Sequence, residues 1–95
     1  MLDNYVIKND KKAAYRVIDN EVMVVNLKKS TFHTLNTVGS FIWQQFDGKT
    51  PVKKIVHNVT EEFDVDFETA ENDSIEFINN LLNEGLIIVS SNPVE

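Results

Sequence analysis

Two histidines, His33 and His57, and an acidic run, Glu61-Glu62 followed by Asp64 and Asp66, are the side chains here best suited to chemistry. An imidazole titrates near neutral pH and can act as a base or hold a metal. A helical metal pair would need the i and i+4 spacing on one helix. His33 instead sits in a strand-like run and His57 on the polar side of a helix-like run, so each reads as an ordinary surface or half-buried histidine. Asp64-Val65-Asp66-Phe67-Glu68 begins like a Ca²⁺ loop. Such a loop needs Gly at its sixth position and a bidentate Glu at its twelfth, where this chain has Thr69 and Ile75. There is no cysteine, so thiolate nucleophiles, disulfides and thiolate metal sites are excluded. The three glycines, Gly39, Gly48 and Gly85, fall at or near helix ends and build no phosphate loop. The residues point to a non-enzymatic binding module that needs no cofactor.

The elements that must carry such a module follow from periodicity. Ala14 to Ile18, Glu21 to Leu27 and Thr31 to Leu35 are β-rich runs separated by Asp19-Asn20 and Lys28-Lys29-Ser30, which predicts an antiparallel meander with the third strand at an edge. Tyr5-Val6-Ile7 is a further short extended piece. From Asn36 the period becomes helical. Asn36 or Thr37 caps a first helix, Val38, Phe41, Ile42 and Phe46 share a side, and Asp47-Gly48 ends it. Thr50-Pro51 opens a second helix, with Val52, Ile55, Val56, Val59 and Phe63 as its apolar stripe. A third helix runs from about Phe67, capped by Asp66, to Glu84 and stops at Gly85. Leu86 to Val89 is an extended apolar tail over the core, and Ser90 to Glu95 a frayed end. The fold class is α+β: a winged helix-turn-helix-like arrangement, a three-stranded antiparallel sheet followed by three helices, in one domain over residues 1–95.

At ~100° per residue the apolar side of the third helix spans about 160°, wider than the roughly 100° that one core requires. Ile75 and Leu82 widen one margin and Phe77 the other. A central helix with neighbours on both sides explains the width, and so does a margin that lines an open groove.

Charge narrows the function classes. Residues 1–60 hold all nine Lys and Arg and five acids, a balance of +4; residues 61–95 hold ten acids and no base, a balance of −10. Winged helices often bind DNA, so a transcriptional regulator is the rival reading. Phosphate neutralisation needs several cations on one face, whereas the third helix carries Glu68, Glu71, Asp73, Glu76 and Glu84 and no cation. That argues against a nucleic-acid partner. No apolar run approaches the ~18 residues of a membrane span, and the N-terminus lacks the pattern of a signal peptide. The expected location is the cytoplasm, with no membrane partner.

The order Phe32-His33-Thr34-Leu35-Asn36, Gly39, Ile42-Trp43, Asp47-Gly48, Val52, Ile55, Asp73, Phe77-Ile78, Leu81 and Gly85-Leu86-Ile87 resembles the PqqD family from about Ala14 to Val89. The resemblance implies a peptide chaperone, or RiPP recognition element. Such a protein binds the leader segment of a ribosomally synthesised precursor peptide and presents it to a modifying enzyme. That partner is a radical S-adenosylmethionine enzyme, or the leader protease and cyclase of a lasso-peptide pathway. Gly85-Leu86 stands where members devoted to the quinone cofactor often have Gly-Trp, and Ser74 where Val is common. Both departures suit a lasso-type or general peptide chaperone better.

The physics accommodates this role. An edge strand with neither Pro nor charge between Thr31 and Leu35 can accept a peptide as one more strand, unless the N-terminal segment covers it. Alternate side chains of the added strand then enter a cleft beside the third helix. The expected peptide-binding residues are Thr31, Phe32, His33, Thr34 and Leu35 on the strand and Glu68, Glu71, Ile75, Ile78 and Leu82 on the helix. Phe32 and Thr34 form the strand wall if their face points inward. Glu68 and Glu71 steer a leader that carries Lys or Arg.

Overall fold

The computed structural model describes residues 1–94. Its elements are β1 (Tyr5–Lys8), β2 (Ala13–Ile18), β3 (Glu21–Asn26), β4 (Thr31–Thr34), α1 (Thr37–Trp43), β5 (Asp47–Pro51), α2 (Val52–Phe63), α3 (Phe67–Asn83) and β6 (Ile87–Ser90). They form an α+β fold with two three-stranded antiparallel sheets, ordered β2-β3-β4 and β5-β1-β6.

The meander is the expected one. Asp19 and Asn20 both adopt positive φ, 51° and 67°, the backbone that a two-residue hairpin requires. At the next turn the buried Asn26 accepts the N–H groups of Lys28 and Lys29 at 3.1 and 3.0 Å through Oδ1. Val22, Val24 and Asn26 point inward from β3, and Met23 and Val25 point the other way.

The second sheet is the finding that periodicity did not foresee. Asp47-Gly48 and Thr50-Pro51 carry turn and helix-start chemistry, yet Asp47–Pro51 is a strand paired with β1. Pro51 stands just before α2 in extended backbone and makes no side-chain cap. The first free donors of α2 are taken instead by the N-terminal segment: Val52 N–H donates to the Asn4 carbonyl at 2.9 Å and Lys53 N–H to that of Leu2 at 3.0 Å. The tail pairs with β1 as β6, and Val94 N–H donates to the Gly48 carbonyl at 2.7 Å, so the reading of a frayed end fails as far as Val94; Glu95 lies outside the described residues.

The core lies between the sheets and helices. Trp43 is fully buried, edge-on to Tyr15 and Phe46 at 5.5 and 5.9 Å between ring centres. The α2 stripe of Val52, Ile55, Val56 and Val59 and the Ala70, Ser74, Ile78 and Leu81 face of α3 meet beneath it. The long arc of α3 is thus explained in part by a central helix.

Candidate functional site

Among the described residues, no strand pairs with the outer side of β4, which is a sheet edge. The register sets Met23 opposite Thr34, Val24 opposite His33, Val25 opposite Phe32 and Asn26 opposite Thr31. Leu35 N–H donates to the Val22 carbonyl at 2.9 Å, which fixes the phase of the ladder. Hydrogen-bonded pairs alternate in an antiparallel ladder, so His33 and Thr31 bond inward to β3. The N–H and C=O groups of Phe32 and Thr34 face outward. The neighbouring hairpin agrees: Leu27 N–H donates to the Lys12 carbonyl at 2.9 Å, which puts the odd-numbered residues of β3 toward β2 and leaves the even-numbered ones for β4. β1 pairs with β5 and β6, so the N-terminal segment does not cover this edge.

Side chains alternate across β4 in the opposite sense to the conditional expectation. Phe32 shares the outer face with Val25 and is 72% exposed, and Thr34 lies beside Met23 on that face. His33 and Leu35 point toward the helices. Asn36 turns the chain, its Oδ1 accepting the Gly39 N–H at 2.7 Å to cap α1. Ser40 ties this corner to β3: its hydroxyl accepts the Val22 N–H at 3.0 Å and donates to the Leu35 carbonyl at 3.3 Å.

The helix margin turned toward the junction of β4 and α1 is the Phe77 margin. Phe77 lies against Gly39, where an added Cβ would sit 3.2 Å from the ring, and with Asn36, Val38, Ile42 and Asp73 it lines a cleft of about 190 Å³. Toward the other end of β4, Glu84 reaches His33. Its carboxylate rests 3.0 Å from His33 Nε2 without the alignment of a hydrogen bond, and 3.9 Å from Lys29 Nζ. β4 and α3 therefore run in opposite directions, with Asp73 and Phe77 near Asn36 and Glu84 near His33 and Lys29.

The expected helix wall is corrected accordingly. Ile78 is completely buried and Leu35 is only 9% exposed, so both belong to the core rather than to an open cleft. On a helix of ~100° per residue, Glu68, Glu71 and Ile75 lie roughly 140–180° from the direction shared by Asp73, Phe77 and Glu84. They sit on the margin turned away from β4. Leu82, 40% exposed, borders a hollow at the C-terminal end of the helix instead. Phe77 and Asp73 stand on the margin turned toward the end of β4, and of these Phe77 was legible as the second margin of the wide apolar arc. A larger hollow of about 470 Å³ between α1 and α2, floored by Phe41 and Phe63, contains no free strand edge.

A family model described as coenzyme PQQ synthesis protein D (PqqD) matches residues 21–87. The chain belongs to the PqqD family. The match runs from the first residue of β3 through α3 to the first residue of β6, and so includes both walls of the groove. Among solved structures, the PqqD-family chain is similar to TbiB1 in complex with the TbiA(beta) leader peptide. The two share 31% identity and a TM-score of 0.77, covering 85% of this chain and 93% of that one. No curated protein matches. Among the described residues, no group of His, Asp and Glu side chains is placed to hold a metal ion, and no helix is long and apolar enough to cross a membrane.

Proposed function

We propose that this chain is a non-catalytic recognition element that binds the leader segment of a ribosomally synthesised precursor peptide and presents it to a modifying enzyme. The carrying observation is the free edge of β4, in a chain 31% identical to one solved with a leader peptide. The leader adds as a fourth strand beyond β4 and bonds to the outward groups of Phe32 and Thr34. Its inward side chains enter the cleft between Asn36 and Phe77, and its outward ones lie beside Phe32. Each buried apolar anchor contributes ~1.5–3 kcal/mol, offset in part by the ordering of a flexible peptide. The partner enzyme is a leader protease and cyclase of the lasso type or a radical S-adenosylmethionine enzyme, and the encounter takes place in the cytoplasm, where the precursor is made. An α3 with acids and no Lys or Arg gives a DNA-binding reading nothing to stand on. Titrating the chain with synthetic leaders from reading frames beside its own tests the proposal. Saturable binding by one of them supports it. Binding to mixed-sequence duplex DNA at low salt, with none to any leader, overturns it.

A further inference from the structure

The groove between β4 and α3 differs in charge from end to end. At the Asn36 end, the side chain of Asp73 on its rim is exposed and belongs to no ion pair among the described residues. Past the Thr31 end of β4 a separate hollow of about 380 Å³ lies at the C-terminus of α3, and its walls include Lys12, Lys28 and Lys29. These lysines arrive from two separate turns. Lys28 and Lys29 follow Asn26 in the β3–β4 turn, and Lys12 precedes β2 and lies along Gly85, with its Cδ 3.4 Å from where a glycine Cβ would be. The one carboxylate in the hollow, Glu84, is already shared by His33 and Lys29. Among the described residues Lys12 and Lys28 have no carboxylate within ion-pair distance, so the hollow keeps a surplus of positive charge in a protein whose net charge is −6.

We propose that this lysine-lined hollow is a second recognition point for the peptide and takes an acidic segment. The inference rests on the strand-addition reading above and adds a direction to it. An added strand antiparallel to β4, the favoured pairing, runs from the Asn36 end toward Thr31. Its N-terminal flank then passes Asp73, and its C-terminal flank passes Ser30 and enters the hollow. The peptide that fits carries Asp or Glu just C-terminal to the paired stretch and Lys or Arg just N-terminal to it. Reversed binding would place like charges together at both ends, so charge selects orientation while the strand edge supplies most of the affinity. Helix polarity alone accounts for one lysine near the C-terminus of α3. It does not account for three that converge from two loops on a hollow just past the Thr31 end of β4.

The test uses the intact chain and overlapping synthetic peptides that tile the precursor reading frame beside its gene. A bound peptide should hold acids C-terminal to its core, and their replacement by Lys should weaken binding roughly three- to tenfold at low ionic strength, much less at high salt. The variant Lys28→Glu/Lys29→Glu, which alters only exposed side chains, should show the same loss with the native peptide. It should recover binding with the charge-reversed one. A peptide that binds the native chain equally well with either charge on that flank overturns the lysine hollow and leaves strand addition standing. If no tiled peptide binds at all, the leader-binding reading itself fails, and this inference with it.

Discussion

At β5 the backbone groups that an extra strand would need are already occupied. Asp47 accepts the N–H groups of Lys49 and Thr50 at 2.9 and 2.8 Å, Val94 takes the Gly48 carbonyl, and Pro51 has no N–H to offer. At β4, Phe32 and Thr34 present theirs without a partner among the described residues, on a strand that has neither Pro nor charge. Exposed edges recruit other chains, and soluble proteins blunt them. A carboxylate, a proline and the chain's own tail close the outer side of β5, and no such cover lies on β4, which suits the strand addition proposed above.

The contrast breaks most sharply under proline substitution in β4. His33→Pro removes a donor that bonds Val24, so it should open the β3–β4 pair and lower the fraction folded by circular dichroism. Thr34→Pro removes an outward donor and should leave the spectrum intact while weakening a bound leader tenfold or more. If Thr34→Pro remains folded and binds like the native chain, strand addition is wrong. Next in size is the shared core. Ile55→Ala empties a fully buried site and should cost ~2–5 kcal/mol in a denaturant titration.

The closed edge can be attacked separately. Gly48 holds φ at +75°, and a Cβ there would stand 2.5 Å from Ile7 Cγ2 and 2.9 Å from Val94 Cβ. Gly48→Ala should therefore cost ~1–3 kcal/mol of stability and leave the leader affinity of the folded fraction unchanged. The smallest effect concerns Asp47. Burial acts to raise its pKa, but the N–H groups of Lys49 and Thr50 and the Thr50 hydroxyl outweigh it and hold the carboxyl below its ordinary 3.8. Folding thus favours the carboxylate. That contribution is complete above the ordinary value and disappears as pH falls through the lowered one. Asp47→Asn should flatten the acid limb of a stability-against-pH curve and leave stability between pH 6 and pH 8 nearly parallel to native.

Much of this was legible in the residues. The β-branched run Glu21–Leu27 and the alternation in Thr31–Leu35, with Asp19-Asn20 between hairpin arms, specified the meander, and the 3.6 period specified the helices. β5 was not legible, because Asp47, Gly48, Thr50 and Pro51 have turn chemistry and become a strand only when β1, distant in sequence, lies alongside. The helix wall of the groove failed for a different reason. A wheel gives the width of an apolar arc but not which margin faces which neighbour, and the close approach of Phe77 to Gly39 settles that only in three dimensions. Phe32 shows the same limit. Period-2 alternation separates two faces, and only the register with Val25 says which one is outside.

On the strand-addition reading, a leader completes the sheet at β4. Residue-resolved amide hydrogen exchange, with and without a saturating synthetic leader, reads this directly. Strong new protection is expected at the amides of Phe32 and Thr34, with Lys49 and Thr50 unchanged. Saturable binding that leaves Phe32 and Thr34 exchanging as in the free chain would contradict it.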